Sequence, residues 1–200
     1  LFVQNLLSGC MPWEKQFDAN AVLDKATDAF WRHGYKGTSM KCLIEETGLN
    51  PGSIYAAFTN KRGLFDKCLD HYVAKFQDKY AELAETQSPR AVILSLFETP
   101  ADCKLSEADR GCLMVNSALE AGADPEVAAA VRRAMDITEA FIRGRIEAGQ
   151  AAGEISRDLD PAKAAREIYG MIVAIQVIRR AAPDHPYILE ARGKVADLLG

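Results

Sequence analysis

Two groups of side chains in this 200-residue sequence offer chemistry, and of different kinds. The first lies at the amide end of a short helix opened by Asn50-Pro51, where Gly52, Ser53 and Ala56 form a small, polar face. With the free N–H groups of a helix start, such a face can approach the floor of a DNA major groove, which a bulky or acidic surface could not. The second is Cys112, two residues after Arg110 at an expected helix start. A cation and a helix dipole there favour a thiolate responsive to oxidants or electrophiles. A buried structural thiol is the competing reading. Cys103, nine residues earlier in an expected loop, is a candidate resolving partner.

Other chemistries find less support. His33, His71 and His185 are scattered, and none stands near a cysteine or carboxylate in a ligand pattern, so neither a metal site nor a cofactor is expected. No histidine follows Cys112 as a base, and no Gly-rich phosphate loop or pair of catalytic acids occurs. An enzyme is therefore not expected.

The elements that must position these residues are helical. Apolar residues recur at helical spacing almost throughout, which predicts an all-α fold. Five helix starts share one grammar, a capping residue followed by proline: Asn50-Pro51, Ser88-Pro89, Asp124-Pro125, Asp160-Pro161 and His185-Pro186. Helices are expected over 18–33 with Gly34 as the stop, over 38–47 with Thr38 as the cap, over 51–58, and from Asn60 onward along the stripe Leu64, Phe65, Cys68, Tyr72, Phe76, Tyr80 and Leu83. Further ones are expected over 88–97, 110–121 and 125–152 and from Pro161 and Pro186. That makes nine helices, with a loop at 99–109.

Within them, residues 38–58 have the layout of a helix-turn-helix. Leu43 and Ile44 close an inner face, Gly48 permits a left-handed turn, Leu49 plugs the corner, and Ile54 with Phe58 seats the second helix. The stretch from Phe30-Trp31-Arg32-His33-Gly34-Tyr35-Lys36-Gly37-Thr38-Ser39 through Gly48–Phe58 to Asn60-Lys61-Arg62-Gly63-Leu64-Phe65 resembles the TetR/AcrR family of repressors over about residues 18–68. The resemblance implies an N-terminal helix-turn-helix domain, a larger C-terminal helical domain and a homodimer. It also implies a double-stranded, roughly palindromic operator released on binding a small-molecule inducer. The implied contact set is Thr38, Ser39, Lys41, Asn50, Pro51, Gly52, Ser53, Tyr55, Ala56 and Lys61. Thr38, Tyr55 and Lys61 fall at phosphate positions, and Lys41, Asn50, Ser53 and Ala56 at groove positions. The chain departs from the family at Ala56-Ala57, where many members carry larger side chains, which shifts base readout toward Lys41, Asn50 and Ser53.

The domains are expected at 12–63 for DNA binding and 64–200 for ligand binding and dimerisation. Arg110–Glu120 resembles a subgroup of the same family. Candidates to line a ligand cavity in the second domain are Phe97, Cys112, Val115, Asn116, Met135, Phe141 and Tyr169, which suits an apolar or amphipathic inducer. The helix after Pro161 is apolar around more than one face. Paired with the helix after Pro186, it suggests a four-helix dimer interface.

Composition bounds the rest. Hydrophobic residues make up 48% of the chain, enough for a substantial core. The net charge of −4 hides a local bias, because residues 31–63 carry five basic to two acidic side chains. The odd cysteine count, with no zinc spacing, fits a reduced cytoplasm. Residues 1–10, before Met11, do not read as a signal peptide, and no stretch suits a membrane span. Lys15 is the lone basic residue in 1–17, so no strong DNA-contacting arm is expected. Besides the ligand-released repressor, other readings stay open: a thiol sensor of the same fold using Cys112 and, of a different class, a helical enzyme or interaction module without DNA binding.

Overall fold

Nearly every helix begins where a short polar side chain meets its exposed N–H groups. In the computed structural model, which describes residues 18–98, 110–120 and 124–200, nine helices and no strand occur among the described residues. They are α1 (Ala19–Gly37), α2 (Met40–Thr47), α3 (Pro51–Phe58), α4 (Lys61–Thr86), α5 (Pro89–Ser95), α6 (Leu113–Glu120), α7 (Pro125–Ala151), α8 (Pro161–Ala181) and α9 (Pro186–Leu199). All five expected Xaa-Pro starts are used, with Asn50, Ser88, Asp124, Asp160 and His185 accepting from N–H groups of the first turn. Each such cap contributes about 1 kcal/mol.

Two local departures from the sequence expectations have clear causes. The first helix does not stop at Gly34 but bends there, with Gly34 at φ 72°, and continues to Gly37. Thr38 does not cap the second helix. Ser39 does, accepting from Cys42 N at 3.1 Å, while the fully buried Thr38 turns its hydroxyl back onto the Gly34 carbonyl at 2.6 Å. Gly48 adopts the expected left-handed conformation at φ 73° and ends α2. The loop expected at 99–109, with Cys103, lies outside the described residues.

Buried side chains form two clusters. One joins α1–α3 to the first half of α4 through Ala26, Phe30, Leu43, Ile54, Leu64 and Phe65, and takes in Leu113 and Met114 of α6 and Val127–Ala134 of α7. The other joins α5, the second half of α7, α8 and α9 through Ile93, Ile142, Ile146, Ile168, Val195 and Leu199. Helix α7 spans both. The junction of α3 and α4 is tight, since a Cβ at Gly63 would lie 2.1 Å from the Phe58 carbonyl oxygen. Only glycine lets the two helices meet at that angle. No helix among the described residues is long and apolar enough to cross a membrane.

Candidate nucleic-acid interface and ligand cavity

Helix α3 is fixed from below and free above. Ile54 is fully buried, whereas Pro51, Gly52, Ala56 and Ala57 are exposed and Tyr55 is half exposed. Asn50 accepts from Ser53 N at 2.9 Å, which leaves its amide NH2 available. Lys41, on the exposed side of α2, faces Glu45 at 3.8 Å, a weak surface pair. The Lys61 ammonium sits 4.5 Å from the centroid of the Tyr35 ring, and burial lowers its pKa against the opposing pull of Glu120. The structure thus gathers Ser39, Lys41, Asn50–Ser53, Tyr55, Ala56 and Lys61 around the two short helices. Thr38 is the exception. Its side chain has no exposed surface, and its hydroxyl is committed to the α1 carbonyls, so it holds the turn in place of contacting a phosphate.

Behind this head lies a cavity of about 300 Å³. Trp31 of α1, Tyr72, Phe76 and Tyr80 of α4, Leu96, Cys112, Met114, Val115, Thr138 and, from α8, Tyr169, Ile172, Val173 and Ile175 line it. Lys79, Glu98, Gln176 and Arg179 add polar groups. Of the residues expected at a cavity, Cys112, Val115 and Tyr169 are in its wall. Phe97 is buried in the α5–α9 core, and Met135 packs on the head core. Phe141 stands one ring behind the wall, edge-on to Phe76 at 5.7 Å. Asn116 turns away to accept from Arg180 at 2.8 Å and to donate to the Arg110 carbonyl at 2.7 Å. The aromatic wall of α4 was readable as a stripe at i, i+4, i+8, but that spacing equally describes a filled core.

The cavity's polar atoms are not all satisfied. The Tyr169 hydroxyl is buried with no hydrogen-bond partner among the described residues, and burial pushes it well above the ordinary phenol range. A buried orphan hydroxyl is costly, and a ligand oxygen or nitrogen would relieve it. The Tyr72 hydroxyl donates to Cys112 Sγ at 3.7 Å. Desolvation, followed by the neighbouring thiol, raises the pKa of that phenol too.

Cavity and head share a seam. Trp31 Nε1 donates to the Arg110 carbonyl at 3.3 Å, and the Arg110 guanidinium pairs with Asp28 of α1. At the far end of α6, Glu120 accepts from Lys36 N at 3.2 Å, and its carboxylate fills the space above Gly34. A shift of α6 is therefore felt at both ends of the α1 bend.

One cluster was not foreseen from spacing. The sequence places no histidine in a ligand pattern, yet the bend at Gly34 brings His33 to Cys42 and Glu46 of α2, with one ligand atom of each within 4.8 Å of the others.

Comparison with known proteins is consistent in both halves. Residues 22–68 match the family described as bacterial regulatory proteins, tetR family, and residues 92–193 match the tetracyclin repressor-like C-terminal domain. The HTH-type transcriptional repressor ComR of Escherichia coli (strain K12) is 32% identical over 183 residues, covering 90% of this chain and 87% of that protein. The HTH-type transcriptional regulator UidR of the same strain is 27% identical, over 83% of this chain and 85% of its own. Among solved structures, a cysteine mutant of the TetR-family regulator CifR complexed with 26-bp double-strand operator DNA superposes with a TM-score of 0.77 at 26% identity, over 93% of this chain and 98% of that one. A TetR-family regulator from Cytophaga hutchinsonii superposes with 0.78 at 21% identity, over 92% and 96%.

Proposed function

The chain belongs to the TetR family of transcriptional regulators, and on that premise we propose that it is a repressor that binds its operator as a homodimer and leaves it when an apolar or amphipathic inducer enters the cavity. The observation that carries the reading is the face of α3. Ile54 anchors it, no acidic side chain interrupts it, and Asn50, Ser53, Tyr55, Lys41 and Lys61 surround it. A helix so seated presents its N-terminal residues to base edges and its flanks to phosphates.

The division of labour we propose is 12–63 for DNA and 64–200 for ligand and dimerisation; the matched family segments, 22–68 and 92–193, support one domain in each part without fixing the boundary between them. A two-fold pairing of α8 and α9 would cover the exposed Val177 and Leu189. Gly170 and Gly193 support it, because each has open space where a Cβ would stand and so permits close helix approach. Acting on operator DNA, the protein would work in the cytoplasm. The inducer is aromatic or branched apolar in its body, with one polar group for the Tyr169 hydroxyl. Its entry would press on Cys112–Val115 and, through the Arg110–Asp28 pair, turn α1 and change the separation of the two recognition helices.

Salt-titrated fluorescence anisotropy against the chain's own promoter-region DNA, with a Tyr55→Phe/Lys61→Ala variant beside it, tests this reading. Saturable binding at about 10⁻⁸ M or tighter is expected, with the variant at least ~10-fold weaker and its salt slope reduced by about one phosphate contact. Absence of specific binding by an intact dimer, after small molecules are stripped by unfolding and refolding, would refute it. A second reading rests on Cys112, whose partly exposed thiol lines the cavity. If an electrophile releases wild-type protein from DNA but not Cys112→Ser, the signal is covalent.

A further inference from the structure

We propose that His33, Cys42 and Glu46 form a binding site for a single first-row divalent ion of the zinc type, which staples the bent end of α1 to α2 in the DNA-facing head. The three residues supply nitrogen, sulfur and oxygen, the donor set that borderline-soft Zn2+ accepts, and three protein ligands leave one position for water. Cys42 and Glu46 stand four residues apart on α2 and so share one face of the helix. His33 reaches that face because Gly34, at φ 72°, bends the chain immediately after it, and because Thr38 locks the bend through its bond to the Gly34 carbonyl.

The distances suit an ion with small adjustment. The ligand atoms lie within 4.8 Å of one another, and zinc bonds of 2.0–2.3 Å require separations of about 3.3–3.8 Å. His33 is exposed and free to close that gap by rotation, while Cys42 and Glu46 are half-buried and held by their helix. The carboxylate already has an outer partner. Arg32 Nη2 binds Glu46 Oε1 at 2.8 Å, and the same guanidinium binds Asp28 through Nε at 2.9 Å. An orienting hydrogen bond of this kind fixes a ligating carboxylate and leaves its second oxygen for the cation. Asp28 draws the Arg32 guanidinium through its Nε and is itself shared with Arg110, so the ion meets a thiolate and a carboxylate with one bridged guanidinium beside them.

Titration of the reduced, chelator-treated full chain with Co2+, followed by competition with Zn2+, tests the site without reference to DNA or inducer. Expected are one ion per chain, a near-ultraviolet sulfur-to-cobalt band, and its bleaching by equimolar Zn2+. Cys42→Ser abolishes the band, His33→Ala weakens binding at least ~10-fold, and Cys112→Ser leaves both unchanged. Saturating Zn2+ should also raise Tm by about 5 °C in the wild type and leave Tm unmoved in Cys42→Ser. Circular dichroism of each metal-free variant checks that the helices are intact. A folded wild type without the band, or a band that persists in Cys42→Ser, overturns the proposal and leaves the regulator reading untouched.

Discussion

The head and the sensor are built from the same capped helices, yet one is filled and the other is hollow. In the head, short helices meet at tight turns, and Phe30, Leu43, Ile54, Leu64 and Phe65 are at most 1% exposed. Its polar groups are largely spent on caps, as at Ser39, Asn50 and Asn60. In the sensor, the helices leave about 300 Å³ among aromatic rings; unpaired buried polar atoms occur on both sides, at Thr27 and Asp66 as at Tyr169, so the void and not polar satisfaction sets the regions apart. A surface that must present fixed donors to DNA is better served by a rigid support, whereas a chamber that responds to a ligand needs packing it can improve. The difference lies in how the helices dock.

Deleting the same side chain on each side would show whether that difference is energetic. Leu43 of α2 is fully buried, and Leu43→Ala should cost about 3 kcal/mol, the usual result where a filled core cannot collapse. Leu96 borders the cavity and is only partly buried, so Leu96→Ala removes contacts from one side alone and should cost about 1 kcal/mol. Chemical denaturation of the two variants checks this. Equal losses would mean that the chamber is as tightly coupled to stability as the head.

The seam between the regions can be tested next. Arg180 of α8 donates to Asn116 of α6, whose amide donates in turn to the carbonyl of Arg110, the residue that pairs with α1. Arg180→Ala should leave DNA affinity within about 2-fold of wild type while reducing the inducer's effect on it at least ~5-fold, the lower end of ordinary coupling between sites. Anisotropy with and without inducer reads both. If inducer still releases the variant fully, the seam is packing and not transmission.

The same contrast explains what could be read in the sequence. Helix starts and the turn between α2 and α3 were legible because their causes are local: a cap, a proline, a left-handed glycine at 48. Thr38 was misread as a cap because Ser39, one residue on, offers the same chemistry, and the bend at Gly34 decides between them. The cavity draws on segments from Trp31 to Arg179, and helical periodicity reports which face is apolar but not which helix it will meet. Hence Phe97, Met135 and Phe141, all correctly apolar, pack away from the void, and Val115 and Tyr169 line it. The cluster at His33, Cys42 and Glu46 was illegible for a related reason, since only the bend makes His33 a neighbour of residues nine and thirteen positions on.

The smallest effect concerns three side chains that tie α1 to α4. Asp24 of α1 is bound by Lys75 and by His71 Nε2, the latter at 2.8 Å, and these bonds, Lys75 foremost, hold its carboxyl below the ordinary range. Because the folded pKa is depressed, the contribution to stability is present above the unfolded value near 3.9 and is lost as pH falls through the lower native value. About half of the Asp24 side chain is exposed, so solvent screening limits the effect to a few tenths of a kcal/mol. Wild type should therefore exceed Asp24→Asn in Tm by ~1 °C at neutral pH, and the gap should shrink below about pH 4. A gap that persisted in acid would assign the stabilisation to packing of the α1–α4 seam, making even this exposed edge of the head a matter of shape more than charge.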